Sequence, residues 1–218
     1  MVDRPHHIIF DLDGTLIDSK REIIKTYQLV FNDVIPNRTP DFAQIDYGAT
    51  LNKVLAGVYI GAEAKIEGAK LAFASIYDQS DYSETSLYEG VIETLGWLKA
   101  AGHQLYIATN KRRVPTLRIL EKKKINRYFS HVVTTDTDPS RILSKEGMVE
   151  TLKNKFLFLE GFLVGDTAAD IEAGKNQNLK TIYAAYGYGT GDSHVTSNST
   201  FIISSFKELQ YVFARETQ

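Results

Sequence analysis

The chain has 218 residues, 25 Lys+Arg against 27 Asp+Glu, 43% hydrophobic residues and no cysteine. That length carries a core large enough to need no staples, and the missing thiol excludes disulfides, zinc ribbons, iron–sulfur clusters and thiol nucleophiles. A net charge of −2 with 24% charged residues supports neither a nucleic-acid-binding surface nor wholesale disorder.

The apolar run before Asp11 is too short for a signal peptide. The most apolar later stretch, 156–164, is interrupted by Glu160 and is far short of a membrane span. A soluble cytoplasmic protein is the expectation.

In chain order, His6 to Phe10 reads as a buried strand that breaks at Gly14, because a short apolar run is bounded by a turn residue. Ser19 and Glu22 have capping-box spacing, and Ile23, Tyr27, Val30, Phe31 and Val34 follow at helical intervals. Thr39-Pro40 reads as another helix start. Leu51 to Ile60 and Ala62 to Tyr77 read as helices, and residues 18–86 contain no convincing strand.

From Leu87 the texture alternates. Helices are expected at Val91 to Ala100 (closed by Gly102), Val114 to Lys123, Ser144 to Lys153 and Ala169 to Lys175. Strands are expected at Gln104 to Ala108, His131 to Thr134, Gly161 to Val164, Thr181 to Ala184 and Phe201 to Ile203. Ser205 and Glu208 open a final amphipathic helix. Strands alternating with helices predict βαβ units and a parallel sheet. The fold class is therefore α/β: a core of residues 1–17 and 87–218, with an all-helical insertion at 18–86.

In such sheets ligands bind beyond the carboxyl ends of the strands. The first strand ends in Asp11 and Asp13, the second in Thr109 and Asn110, and the fourth in Asp166, with Asp170 one turn further on. Lys145 opens the helix before that fourth strand. Two carboxylates ~4 Å apart repel by roughly 4 kcal/mol at a protein-like effective dielectric, so several together would hold protons unless a cation compensates. Oxygen-only ligands suit Mg²⁺, often bound together with a phosphate. Thr109, a strand-end amide and Lys145 would serve the other phosphate oxygens. One carboxylate is then available to attack phosphorus.

At this point Asp11-Leu-Asp-Gly-Thr-Leu resembles the first signature of the haloacid-dehalogenase-like phosphohydrolase superfamily. Ala108-Thr-Asn-Lys resembles the second, Lys145 the third, and Val164-Gly-Asp-Thr-Ala-Ala-Asp-Ile the fourth, in the family's order. The branch it looks most like is the phosphoglycolate-phosphatase type, with a helical cap inserted after the first motif. The resemblance implies a three-layer Rossmann-like core and a magnesium-dependent phosphatase for a small soluble phosphomonoester. It implies Asp11 as nucleophile and magnesium ligand. Asp13 would be the general acid and base, its main-chain carbonyl facing the metal. Thr109 would hold phosphate through its hydroxyl, Asn110 through its amide, and Lys145 would neutralise charge. Asp166 would bind magnesium directly and Asp170 through water or by orienting neighbours. Asp13 also argues against the dehalogenase branch, which lacks the second acid.

Lys145 stands in Ser-Lys-Glu, not in the Lys-Pro setting of many relatives, and Lys111 is a rival for the active-site lysine. In the insertion, Asp46-Tyr-Gly-Ala-Thr-Leu51 resembles a loop that relatives use to read substrate, which makes Tyr47 and Thr50 candidate contacts. A phosphomutase, a pyrophosphatase and a nucleotidase stay open as alternatives within this chemistry. A signalling receiver domain fits less well, because its acids precede its Thr and Lys. Gly187-Tyr-Gly-Thr-Gly191 lacks G-x-G-x-x-G spacing and reads as an ordinary loop. The tyrosines read as core or rim.

Overall fold

A computed structural model describes residues 5–34, 47, 54–55, 65–189 and 193–216. The chain divides into two compact units, Met1–Asp18 with Leu87–Gln218, and Ser19–Ser86.

The first unit is built on six parallel strands: β1 (His7–Phe10), β4 (Gln104–Thr109), β5 (His131–Thr134), β6 (Phe162–Gly165), β7 (Lys180–Ala184) and β8 (Phe201–Ile203). Their order is β5-β4-β1-β6-β7-β8. The two-residue strands β2 (Ile17–Asp18) and β3 (Ser86–Leu87) lie where the chain leaves this unit and returns to it. In β1, Ile8, Ile9 and Phe10 are fully buried, as expected of a parallel strand covered on both faces.

The helices of this unit are α3 (Val91–Ala100), α4 (Arg113–Lys122), α5 (Lys145–Phe156), α6 (Ala168–Asn176), α7 (Ser193–Asn198) and α8 (Leu209–Glu216). Period-2 side-chain alternation sorts the strands onto two faces. Ile9, Tyr106, Ala108, Val133 and Leu163 meet Met148, Val149 and Leu152 of α5 and Ala173 of α6. On the opposite face, Phe10 packs at 5.8 Å from Phe206 and Phe162 at 4.8 Å from Phe213. The α/β class and the parallel sheet follow the sequence reading. The last helix differs slightly: Phe206–Glu208 is a 3-10 turn that leads into α8. Glu208 accepts from the Ser204 amide at 3.1 Å and the Ser205 hydroxyl at 3.4 Å.

The second unit contains α1 (Lys20–Val34) and α2 (Ile66–Gln79), and Val54 and Leu55 are helical. Tyr27, Val30 and Phe31 are buried on α1, and Ala69, Phe73 and Tyr77 on α2. The Tyr27 and Phe73 rings lie 4.7 Å apart. Glu22, expected at a capping position, has its carboxylate turned to the far end of α2. It accepts from the Ser80 hydroxyl and, at 3.0 Å, from the Glu84 amide. The helix start at Thr39-Pro40 and most of the 51–60 helix lie outside the described residues. Among the described residues no helix is long and apolar enough to cross a membrane.

Candidate active site

The strand order places β1 between β4 and β6. The connection from β1 runs to β4 on one side, and the later one from β5 crosses to β6 on the other, a reversal that opens a crevice at the carboxyl ends of these strands. Asp11 directly follows β1, and its amide continues the ladder by donating to Val164 O at 2.9 Å. The chain then turns at Gly14, whose φ is +85°. A Cβ there would also lie 2.1 Å from Asp166 Oδ2, so conformation and space both demand glycine.

Asp11, Asp166 and Asp170 are buried and offer carboxylate oxygens that all lie within 4.8 Å of one another. Lys145, the first residue of α5, reaches the same point. Its Nζ is 2.5 Å from Asp11 Oδ1 and 2.9 Å from Asp170 Oδ1, and it donates to Ala108 O at 2.9 Å. Ser144 caps this helix by accepting from the Gly147 amide at 3.2 Å. Asp166 and Asp170 each have an anchor of their own. Asp166 accepts from the Thr15 hydroxyl at 3.2 Å and the Tyr188 amide at 2.7 Å. Asp170 Oδ2 accepts from the Thr167 amide at 3.0 Å and the Thr167 hydroxyl at 2.6 Å. That leaves Asp170 Oδ1 buried with no aligned hydrogen bond, touched by the Lys145 ammonium.

One ammonium does not balance three carboxylates. Burial holds the Asp11 carboxyl well above the usual range; Lys145 works against this, while Asp170 and Asp166 add to it. Burial, then the charge of Asp170, pushes Asp166 up to about 7, against the Tyr188 and Thr15 hydrogen bonds. Burial alone would lower the Lys145 ammonium, but Asp11 and Asp170 hold it above its ordinary value. A hard divalent cation fits this donor set: oxygens only, an excess of negative charge, and a buried carboxylate oxygen without an aligned donor.

A second ion pair stands beside the first. Lys111 Nζ is 3.0 Å from Asp13 Oδ1, and both side chains are largely buried. The two rival lysines therefore divide the acids, Lys145 taking Asp11 and Asp170, and Lys111 taking Asp13. The Asp13 carboxylate is not among the three clustered ones, so its expected part as a metal ligand rests on its main-chain carbonyl. Thr109 ends β4, buried, and its hydroxyl accepts from the Lys111 amide at 3.2 Å. Asn110 follows, half-buried. Tyr47, in the second unit, is half-buried with the Lys20 ammonium 5.8 Å from its ring centre, and burial raises its phenol pKa. Thr50 lies outside the described residues.

The model of the haloacid dehalogenase-like hydrolase family matches residues 8–184. The chain belongs to the haloacid dehalogenase-like hydrolase family. Among its relatives, a phosphoglycolate phosphatase of Aquifex aeolicus is 33% identical over 83% of this chain and 85% of that protein. The tyrosine-protein kinase PtkA of Mycobacterium tuberculosis is 28% identical over 93% of this chain and 69% of that protein. Among solved structures, a haloacid dehalogenase-like hydrolase of Streptococcus pneumoniae superposes with a TM-score of 0.86 at 20% identity, over 96% of this chain and 98% of that one.

Within this haloacid dehalogenase-like core, several residues at the site escaped the sequence reading. Thr15 and Tyr188 hold Asp166. Tyr186 donates its hydroxyl to Thr15 O at 2.8 Å, and Tyr188 donates its own to Asp18 Oδ1 at 3.1 Å. The Tyr88 and Tyr186 rings meet edge to face at 4.8 Å. Burial, then the Asp166 charge, raises the Tyr186 phenol. Burial, then Asp18, Asp166 and Asp13, raises Tyr88. The available signal was the Gly-Tyr-Gly run itself, which spacing alone could not connect to Asp166.

Proposed function

We propose that the protein is a magnesium-dependent phosphatase that hydrolyses a small phosphomonoester through an aspartyl-phosphate on Asp11. The observation that carries this reading is the buried Asp11, pinned by Lys145 at 2.5 Å beside two further carboxylates within 4.8 Å. A phosphate group replaces none of these acids; it needs their cation and the lysine.

Asp11, Asp166 and, less directly, Asp170 would hold Mg²⁺, together with the Asp13 main-chain carbonyl. When bound, the ion supplies charge neutralisation to the phosphoryl group. The rest belongs to the chain. Lys145 offsets the charge of nucleophile and phosphate. The Thr109 hydroxyl and Asn110 amide donate to phosphoryl oxygens. An Asp11 carboxylate oxygen attacks phosphorus, the bond to the ester oxygen breaks, and Asp13 gives that oxygen its proton. Water then attacks the aspartyl-phosphate, Asp13 takes the water's proton, and phosphate leaves with Asp11 restored. Tyr47 and Thr50 are proposed as substrate contacts of the helical insertion, which we read as a cap that excludes water.

The relatives named phosphoglycolate phosphatase support a substrate of that type, a short phosphorylated acid, with sugar phosphates next. Asp11→Asn tests the reading on a panel of phosphoesters with magnesium. Loss of phosphate release is expected; full retained activity overturns the assignment. Isomerised sugar phosphate without free phosphate would turn it to a phosphomutase.

A further inference from the structure

The Gly187-Tyr-Gly189 run, which follows β7, has no part in the chemistry above. Its geometry gives it one. The Tyr188 amide donates to Asp166 Oδ2 at 2.7 Å. A Cβ on Gly187 would lie 2.3 Å from Asp166 Cβ and 2.4 Å from Gly14 O. A Cβ on Gly189 would lie 1.8 Å from Asp166 O. These are contacts that no side chain can make, so the turn lies against Asp166 as closely as backbone permits. It is tethered elsewhere too. Ala185 donates its amide to Ile203 O at 2.9 Å, and Gly187 donates to Ala184 O at 3.0 Å. The Tyr186 hydroxyl reaches Thr15 O, and Thr15 in turn donates to the other oxygen of Asp166 at 3.2 Å.

We infer that the 185–189 turn is a clasp that fixes the Asp166 carboxylate in the orientation a divalent cation requires. Each carboxylate oxygen accepts one hydrogen bond, Oδ1 from Thr15 and Oδ2 from Tyr188, which leaves each a further lone pair. Free rotation about the side chain is thereby removed before the ion arrives. Donors that orient a metal-binding side chain typically change metal affinity about 10–100-fold when lost. The turn's glycines are thus positioning residues acting through Asp166, and the inference rests on the magnesium reading given above.

Mg²⁺ binding to the full chain, measured by titration calorimetry without substrate, tests it. Gly187→Ala and Gly189→Ala are expected to weaken Mg²⁺ about 10-fold or more, with raised magnesium restoring turnover. Tyr188→Phe keeps the amide and is expected within threefold of the wild type. In the wild type, the Tyr188 amide resonance should shift on Mg²⁺ addition with the calorimetric midpoint, a reading that needs no variant to fold. Folded alanine variants that bind Mg²⁺ like the wild type overturn the clasp, as does an unmoved Tyr188 resonance. An equal loss in Tyr188→Phe overturns it by shifting the role to the phenol. If the wild type itself binds no Mg²⁺, the magnesium reading falls and the clasp with it.

Discussion

Lys111 Nζ stands 3.0 Å from Asp13 Oδ1, with 7% and 12% of the two side chains exposed. Asp13 stands two residues beyond Asp11, and Lys111 holds the direction of this carboxylate, which we propose as the acid that serves the leaving group. Removing one partner of a buried pair leaves an uncompensated charge, which costs about 3–5 kcal/mol. Lys111→Met should therefore lower the melting temperature. It should also lower kcat on alkyl phosphates by about 10²-fold or more, the range of general-acid catalysis. p-Nitrophenyl phosphate, whose leaving group needs little protonation, should lose far less. Equal losses on both substrates would show that Lys111 does not act through Asp13.

The Asp166 carboxyl, pushed up to about 7, has an unfolded value near 3.9. Between about pH 4 and 7 the unfolded chain ionises this group while the folded protein keeps the proton. Stability contributed by protonated Asp166 is thus present at about pH 4 and lost as pH rises to about 7. Relative to Asp166→Asn, the metal-free wild type should lose stability across that window, by at most about 1.4 kcal/mol per pH unit. Thermal melts of both proteins with a chelator present check it. The stabilisation by added Mg²⁺ should grow with pH over the same range.

Asp170 serves two partners through two oxygens, Thr167 through Oδ2 and the Lys145 side through Oδ1. Asp170→Asn keeps an oxygen for the Thr167 donors but loses the charge. It should weaken Mg²⁺ binding with stability within about 1 kcal/mol of the wild type. Asp170→Ala should lose both the helix cap and the charge, costing roughly another 1 kcal/mol. Calorimetry and denaturant melts of the two variants separate the roles.

Leu163 is fully buried between α5 and α6 on one face of the sheet. Leu163→Ala should cost about 2–5 kcal/mol from lost transfer energy and the cavity left behind. A denaturant melt with an unchanged slope and an earlier midpoint is the expected result.

The strands of the sheet were legible because a strand covered on both faces reads as an unbroken apolar run stopped by Gly or Asp, as in Ile8-Ile9-Phe10 and Leu163-Val164. The strand-end residues were legible for the same reason, since the run says where the strand stops. The pairing of charges was not. Spacing places Lys111 and Lys145 near the acids but cannot say which acid each meets, and the structure gives one to each group. Glu22 shows the same limit: its capping spacing is local, but its partners Ser80 and Glu84 are brought up by tertiary packing. The Gly187 and Gly189 requirement was invisible because its cause is not their own backbone but the side chain and carbonyl of Asp166.

β1 is the first strand in the sequence but lies between β4 and β6 in the sheet. Its hydrogen-bonding edges pair with residues 104–107 and 162–164. A ribosome adding about 5–20 residues per second leaves those edges open for on the order of ten seconds. Throughout that interval Ile8, Ile9 and Phe10 form an apolar segment without the strands they pair with in the sheet, and unpaired apolar segments of this kind are aggregation-prone. Assembly of the catalytic unit is consequently a late event dominated by distant pairings and slow by its topology. Its yield in the cell should depend on chaperones more than its equilibrium stability would suggest.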